Sequence, residues 1–108
     1  NLTAFIQSVR DDLGQADLPF VFSQISPLID GPYVDEVRAN QALVAASVAN
    51  VVMIDTADLP IRTTDQLHYI DSSKLELGDR LGNAFVPEPT SLVAIAVGLP
   101  LLLRRRRH

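Results

Sequence analysis

The 108-residue chain contains no cysteine. This excludes disulfide bonds, a thiolate nucleophile and any metal site with sulfur ligands. Basic residues are also scarce in positions 1–85, which hold 12 acidic and 5 basic side chains, a net charge of −7. A folded face that binds nucleic acid needs clustered Lys and Arg. We therefore expect no nucleic-acid partner and no function that depends on a thiol.

Long hydrophobic runs are missing as well. The longest apolar stretch, 91–103, is shorter than the ~20 residues that normally span a bilayer, and it contains Gly98 and Pro100. It lies between two other features, the motif Val86-Pro87-Glu88-Pro89 and the basic block Arg104-Arg105-Arg106-Arg107. Arginines after an apolar segment stay cytoplasmic during export, and their snorkelling extends the reach of a short helix. The order predicts an anchoring segment over 86–108, with an apolar helix in the membrane through 91–103. The alternatives are a buried C-terminal helix with a polar tail and one segment of a larger membrane protein.

This order resembles the PEP-CTERM sorting signal of Gram-negative bacteria. The resemblance implies an exosortase-type processing enzyme as partner, and a protein anchored at, or released from, the cell envelope. Its C-terminal arginines would be cytoplasmic before processing. Such a signal presupposes an export signal at the other end, yet the chain begins at Asn1 with neither Met nor a basic, apolar leader. We therefore expect the chain to be the C-terminal fragment of a longer precursor.

Residues 1–85 form one predicted domain in which helix and strand patterns alternate. Apolar residues at helical spacing predict helices over 2–14, 33–49 and 70–84, and short apolar runs predict strands over 18–25 and 51–54. Such alternation is typical of parallel strands joined by helical crossovers. The predicted class is α/β, and the two strands are expected to belong to a larger sheet of about five.

Asp65 and His68 are the candidate catalytic residues, in a predicted loop before the last helix. At this spacing the carboxylate can accept a hydrogen bond from one imidazole nitrogen and leave the other able to take a proton. That arrangement is an oriented general base. The alternative is a surface loop in which Asp65 caps a turn and His68 is solvated.

Other polar residues follow the two predicted strands, where parallel sheets place their reactive groups. Gln24 either faces a substrate or bonds loop backbone groups. Asp55 and Asp58 either line a pocket or form turns, and turns are favoured. A single histidine near carboxylates falls short of the three or four ligands of a metal site, so we expect neither metal nor cofactor.

The segment around the candidate pair resembles the last block of SGNH-type hydrolases, and it is most similar to the carbohydrate esterase branch of sialate O-acetylesterases and plant-like acetylxylan esterases. The residues that carry the resemblance are Asp65, Gln66, Leu67, His68 and Tyr69, followed by Ser72, Ser73, Leu75, Leu77, Gly78, Arg80 and Leu81. The resemblance implies the C-terminal portion of a three-layer, flavodoxin-like α/β/α fold. It also implies that His68 deprotonates a serine, that Asp65 orients His68, and that the substrate is an acetylated carbohydrate.

The chain departs from the pattern at the nucleophile. No serine follows a strand within the glycine-containing elbow that exposes a nucleophile, and no oxyanion donors are recognisable. The sequence therefore predicts a serine-type carbohydrate O-acetylesterase for the intact parent and an inactive chain on its own. Two alternatives are a non-enzymatic envelope or matrix protein with a degenerate hydrolase body, and an esterase of this fold that acts on lipids or thioesters.

Overall fold

The computed structural model describes residues 1–85. They form three helices and two strands, in the order α1 (Leu2–Asp12), β1 (Phe20–Ser23), α2 (Val34–Ser47), β2 (Val51–Ile54) and α3 (Asp71–Asn83). The strands pair in parallel, with Phe20 opposite Val51, and α2 is the crossover between them. This confirms the α/β class. The predicted anchoring segment 86–108 and its apolar helix lie outside the described residues.

The five elements are of the predicted types, but β1 is shorter than the predicted strand 18–25. Pro19, before it, has no amide hydrogen to give to a sheet. At the other end, the amide of Gln24 still donates to the carbonyl of Ile54, whereas that of Ile25 donates to the side chain of Gln41 (2.9 Å). The amide of Gln24 is the last of β1 to bond β2, and the amide of Ile25, which faces away from β2, bonds α2.

Arg10 joins α1 to the beginnings of both strands. Its side chain is only 5% exposed, and its guanidinium donates to the carbonyls of Leu18 (2.9 Å) and Ala49 (2.9 Å). The guanidinium carbon also lies 5.7 Å from the centre of the Phe20 ring, within the range of a cation–π interaction. Arg10 of α1 therefore bonds the carbonyls of the residues that lie just before the two described strands.

Polar side chains also join the carboxyl ends of the two strands. Thr56, fully buried, donates to the carbonyl of Gln24 (2.8 Å), and the side chain of Gln24 donates to the carbonyl of Arg38 (3.0 Å). Arg38 in turn donates to the carbonyl of Ile25. The side chain of Gln24 thus bonds the backbone of α2, whereas the second of its two predicted roles placed this bond in a loop. Within residues 1–85, no helix has the length and hydropathy needed to cross a membrane.

Candidate active site

The candidate pair lies in a closed loop between β2 and α3, which we name the 60–70 loop. Ile61 and Tyr69 form an antiparallel bridge near its ends, and the amide of Arg62 donates to the carbonyl of His68 (2.7 Å). The amide of Ile70 donates to the carbonyl of Pro60 (3.4 Å). The predicted loop is therefore hairpin-like, with its two ends bonded to each other.

Ser73 fixes the base of the 60–70 loop to helix α3. Its side chain is 2% exposed, and its hydroxyl donates to the carbonyl of Pro60 (2.8 Å). The residue before Pro60, Leu59, is one of the few buried apolar residues of the described chain. The loop therefore projects from an anchored base, and its tip carries Asp65 and His68.

Asp65 contacts His68 directly. Its Oδ2 lies 2.8 Å from Nδ1 of His68, and its Oδ1 accepts the backbone amides of Leu67 (3.0 Å) and His68 (3.1 Å). Gln66, between them, adopts a left-handed backbone with φ of +53°, which turns the following amides back toward the carboxylate. The structure thus brings Asp65 and His68 together. The carboxylate of Asp65 accepts hydrogen bonds both from the His68 ring and from two backbone amides.

These contacts favour the ionised form of Asp65. The hydrogen bond from the His68 ring, followed by the bonds from the amides of His68 and Leu67, holds the pKa of the Asp65 carboxyl well below its usual range. An ionised carboxylate can only accept, so the proton of the short contact belongs to Nδ1 of His68. The second ring nitrogen, Nε2, makes no hydrogen bond within residues 1–85, and the side chain is 66% exposed.

A cavity of about 550 Å³ opens beside His68. Its walls are formed by Arg62, Leu67, His68, Tyr69 and Lys74. The cavity therefore combines a histidine, an aromatic ring, an apolar side chain and two cations, all from the 60–70 loop and the first turns of α3. Among residues 1–85, no group of three or more His, Cys, Asp or Glu side chains could hold a metal ion.

The chain is also similar to known proteins. Residues 1–87 match the family described as carbohydrate esterase, sialic acid-specific acetylesterase. The chain belongs to this carbohydrate esterase family. No curated protein matches the chain.

A solved structure is similar to this chain as well. It is the X-ray structure of a protein from Arabidopsis thaliana, with 29% sequence identity and a TM-score of 0.66. The similarity covers 79% of this chain and 34% of the Arabidopsis chain. The chain therefore spans about a third of the length of that relative.

The two aspartates after β2 do not line the cavity beside His68. Asp55 accepts the amide of Ala57 (2.9 Å) in a turn, and Asp58 forms a two-pronged ion pair with Arg80 of α3 (2.6 and 2.8 Å). The hydrogen bond from Arg80 lowers the pKa of Asp58 to about 2. Arg80 also contacts Glu76 (3.0 Å), and both carboxylates raise its own pKa. Turn chemistry at Asp55 and a structural ion pair at Asp58 account for these residues.

Sequence reasoning missed Arg62 and Lys74, and it named Ser73 as part of the matching motif without predicting its role. The two cations had a visible signal: of the five basic residues in 1–85, they are the two that flank Asp65 and His68 most closely. Ser73 had none, because only the folded loop shows that its hydroxyl meets the carbonyl of Pro60. The residues predicted for sorting, 86–89 and 104–107, lie outside the described part of the chain.

Proposed function

We propose that this chain supplies the oriented general base of an SGNH-type serine esterase that removes acetyl groups from carbohydrates. The observation that carries the proposal is the 2.8 Å contact between Asp65 Oδ2 and His68 Nδ1, in a chain of the acetylesterase family. The carboxylate is fixed on its other oxygen by two amides. This is the geometry in which a histidine keeps one nitrogen protonated and offers the other to a nucleophile.

The proposed reaction begins when Nε2 of His68 takes the proton of a serine hydroxyl from a part of the protein outside this chain. The serine oxygen attacks the acetyl carbonyl, and the tetrahedral intermediate collapses to an acetyl-serine ester. The departing sugar oxygen takes the proton back from Nε2. Water, deprotonated by the same nitrogen, then releases acetate. Asp65 stabilises the imidazolium that forms in each half of the reaction.

The experiment is an assay of acetate release from an acetylated sugar by the protein that carries this chain together with the region preceding it. His68→Ala is expected to lower kcat by roughly 1000-fold or more, because the serine loses its base. The matched control is His108→Ala, which removes the other histidine of the chain. Full activity of His68→Ala would refute the assignment.

The same assay separates the two alternatives. The first alternative, a non-enzymatic protein with a degenerate hydrolase body, is motivated by the absence of a recognisable serine elbow in this chain. A wild-type protein that hydrolyses no acyl ester would support it. Faster hydrolysis of long-chain acyl esters or thioesters than of acetylated sugars would instead support a lipid or thioester substrate.

We further propose that residues 86–108 sort the protein to the bacterial cell envelope. The support is the order of Pro87-Glu88-Pro89, the apolar run and the four arginines in the sequence. Replacing Pro87, Glu88 and Pro89 by alanine is expected to leave residues 1–85 folded and to abolish envelope localisation, as measured by cell fractionation. Unchanged localisation would refute the sorting role.

A further inference from the structure

Residues 55–60, which we name the 55–60 segment, lead from the end of β2 into the 60–70 loop. Where the segment meets the loop, the carbonyl of Pro60 accepts two hydrogen bonds from the start of α3. One comes from the hydroxyl of Ser73 (2.8 Å) and the other from the amide of Ile70 (3.4 Å). The bond from Ser73 is the shorter one, and it is shielded from water because Ser73 is only 2% exposed. Ser73 therefore holds the base of the loop.

At its other end the 55–60 segment is held by Arg80, two helical turns further along α3. Arg80 donates to the backbone carbonyl of Asp55 (3.1 Å) and to both carboxylate oxygens of Asp58 (2.6 and 2.8 Å). Ser73 and Arg80 occupy positions i and i+7 of the helix, which share a face. The 55–60 segment is therefore bonded at both ends to one face of α3.

The Asp65–His68 pair depends on these bonds for its place in the molecule. The pair is held within the 60–70 loop, and no hydrogen bond within residues 1–85 joins either side chain to another part of the fold. A serine elsewhere in the protein must meet Nε2 of His68 within hydrogen-bond reach. A misplacement of about 1 Å in such a geometry can cost on the order of 100-fold in rate. A loop with a loose base would thus keep its pair intact and present it in the wrong place.

We propose that Ser73 and Arg80 are positioning residues for His68. Their contacts with the 55–60 segment, which we name the α3 clamp, set where the loop holds the Asp65–His68 pair relative to the sheet. The inference rests on the proposed esterase function, and neither residue contacts the reacting atoms in it. Asp65 decides which ring nitrogen carries the proton, whereas the α3 clamp decides where the ring lies. The two roles have different experimental signatures.

The first test uses residual dipolar couplings of backbone amides in the 108-residue chain, which report how the 60–70 loop is oriented relative to the helices. In Ser73→Ala and in Arg80→Met the couplings of the loop amides are expected to decrease, because a loop with a loose anchor samples several orientations. The couplings of α1 and α2 should not change. Nδ1 of His68 should keep its proton in both variants, since Asp65 bonds it from within the loop. Bonds that served stability alone would leave every coupling of the folded chain as it is.

The second test is acetate release by the protein that carries this chain with its preceding region. Ser73→Ala and Arg80→Met are each expected to lower kcat by about tenfold or more and to leave KM within about twofold, because the base is misplaced while substrate binding is retained. The pH dependence of kcat should not shift, since Asp65 still orients His68 in both variants.

Each variant has a matched control in α3. Ser72→Ala removes the neighbouring hydroxyl, which is exposed and has no hydrogen-bond partner within residues 1–85. Glu76→Gln removes the charge of the carboxylate that Arg80 contacts on its own helix (3.0 Å), and it leaves the bonds of Arg80 to the 55–60 segment. Both controls should match the wild type in the loop couplings and in kcat.

Two results would overturn the inference: loop couplings that match the wild type in both variants, or a kcat in both variants equal to that of the controls. Neither result would affect the esterase function, which acetate release by the wild type establishes. A wild-type protein that releases no acetate would refute the esterase function instead. The loop couplings alone would then decide whether Ser73 and Arg80 hold the loop in place.

Discussion

Asp65 divides its two carboxylate oxygens between two tasks. One oxygen holds the ring of His68, and the other holds the backbone amides of Leu67 and His68. The bonds to the two amides fix the carboxylate, so it cannot rotate away from the His68 ring. The left-handed backbone at Gln66 brings those amides within reach.

A prediction follows for the protons of His68. At a pH where the ring is neutral, Nδ1 should carry the proton and Nε2 should be bare, because the ionised Asp65 accepts from Nδ1. Asp65→Asn should reverse this, since its amide nitrogen can face Nδ1 and donate to it. Nitrogen-15 NMR of the ring in the 108-residue chain measures both states. A wild-type ring protonated on Nε2, or one unaffected by Asp65→Asn, would contradict the orienting role.

The sequence predicts the Asp65–His68 contact but not how it is held. The spacing of three residues in a loop permits the contact. It does not reveal the positive φ of Gln66, because Gln rarely adopts that conformation and carries no signal for it. The anchor at Ser73 is hidden for a similar reason: Ser72 and Ser73 are adjacent serines, and only the orientation of α3 selects the second.

At the scale of elements, side chains of the helices bond both ends of the small parallel sheet. Arg10 of α1 bonds the carbonyls at the beginnings of β1 and β2, and Gln41 of α2 bonds the amide of Ile25 after β1. Thr56 joins the two carboxyl ends directly. A sheet of two short strands has few ladder bonds, so these side-chain bonds satisfy backbone groups that would otherwise be unpaired.

Arg10 is expected to be the most sensitive of these anchors. Arg10→Met keeps much of the side-chain length but leaves two part-buried carbonyls unbonded, so the free energy of unfolding should fall by about 3 kcal/mol. Urea denaturation of the 108-residue chain measures the change. Arg10→Lys should recover only part of the loss, because one ammonium cannot match the fork of a guanidinium.

The matched control is Gln7→Met on the exposed face of the same helix, where the side chain bonds only Asp11. It should change the free energy of unfolding by less than about 0.5 kcal/mol. An Arg10→Met variant as stable as this control would show that the carbonyls do not depend on Arg10.

The types and order of all five elements are predictable from the apolar pattern, and their ends are less so. The predicted strand 18–25 is longer than the observed β1, which ends at Ser23. The end of α1 near Gly14 agrees with the sequence, since glycine adopts a left-handed backbone there with φ of +63°. The glycine thus predicts where α1 ends, whereas the sequence carries no comparable signal for the end of β1.

At the scale of the whole molecule, the described residues form a small α/β unit whose apolar residues are largely accessible. Ile6 and Leu59 are its buried apolar residues, while Phe5, Leu43 and Leu75 are each more than half exposed. The unit spans 34% of the Arabidopsis chain, and residues 1–87 match the esterase family. The cationic cavity could not be predicted from the sequence, since it depends on how the 60–70 loop packs beside the first turns of α3.

The most direct measurement for the central claim is acetate release by Asp65→Asn, by His68→Ala and by the two changes together, in the protein that carries this chain with its preceding region. In the proposed mechanism Asp65 and His68 work as one unit, because Asp65 acts only through His68. Each single variant should therefore lose activity, and the double variant should be no slower than His68→Ala alone. Losses that multiply in the double variant would show independent roles and contradict the account.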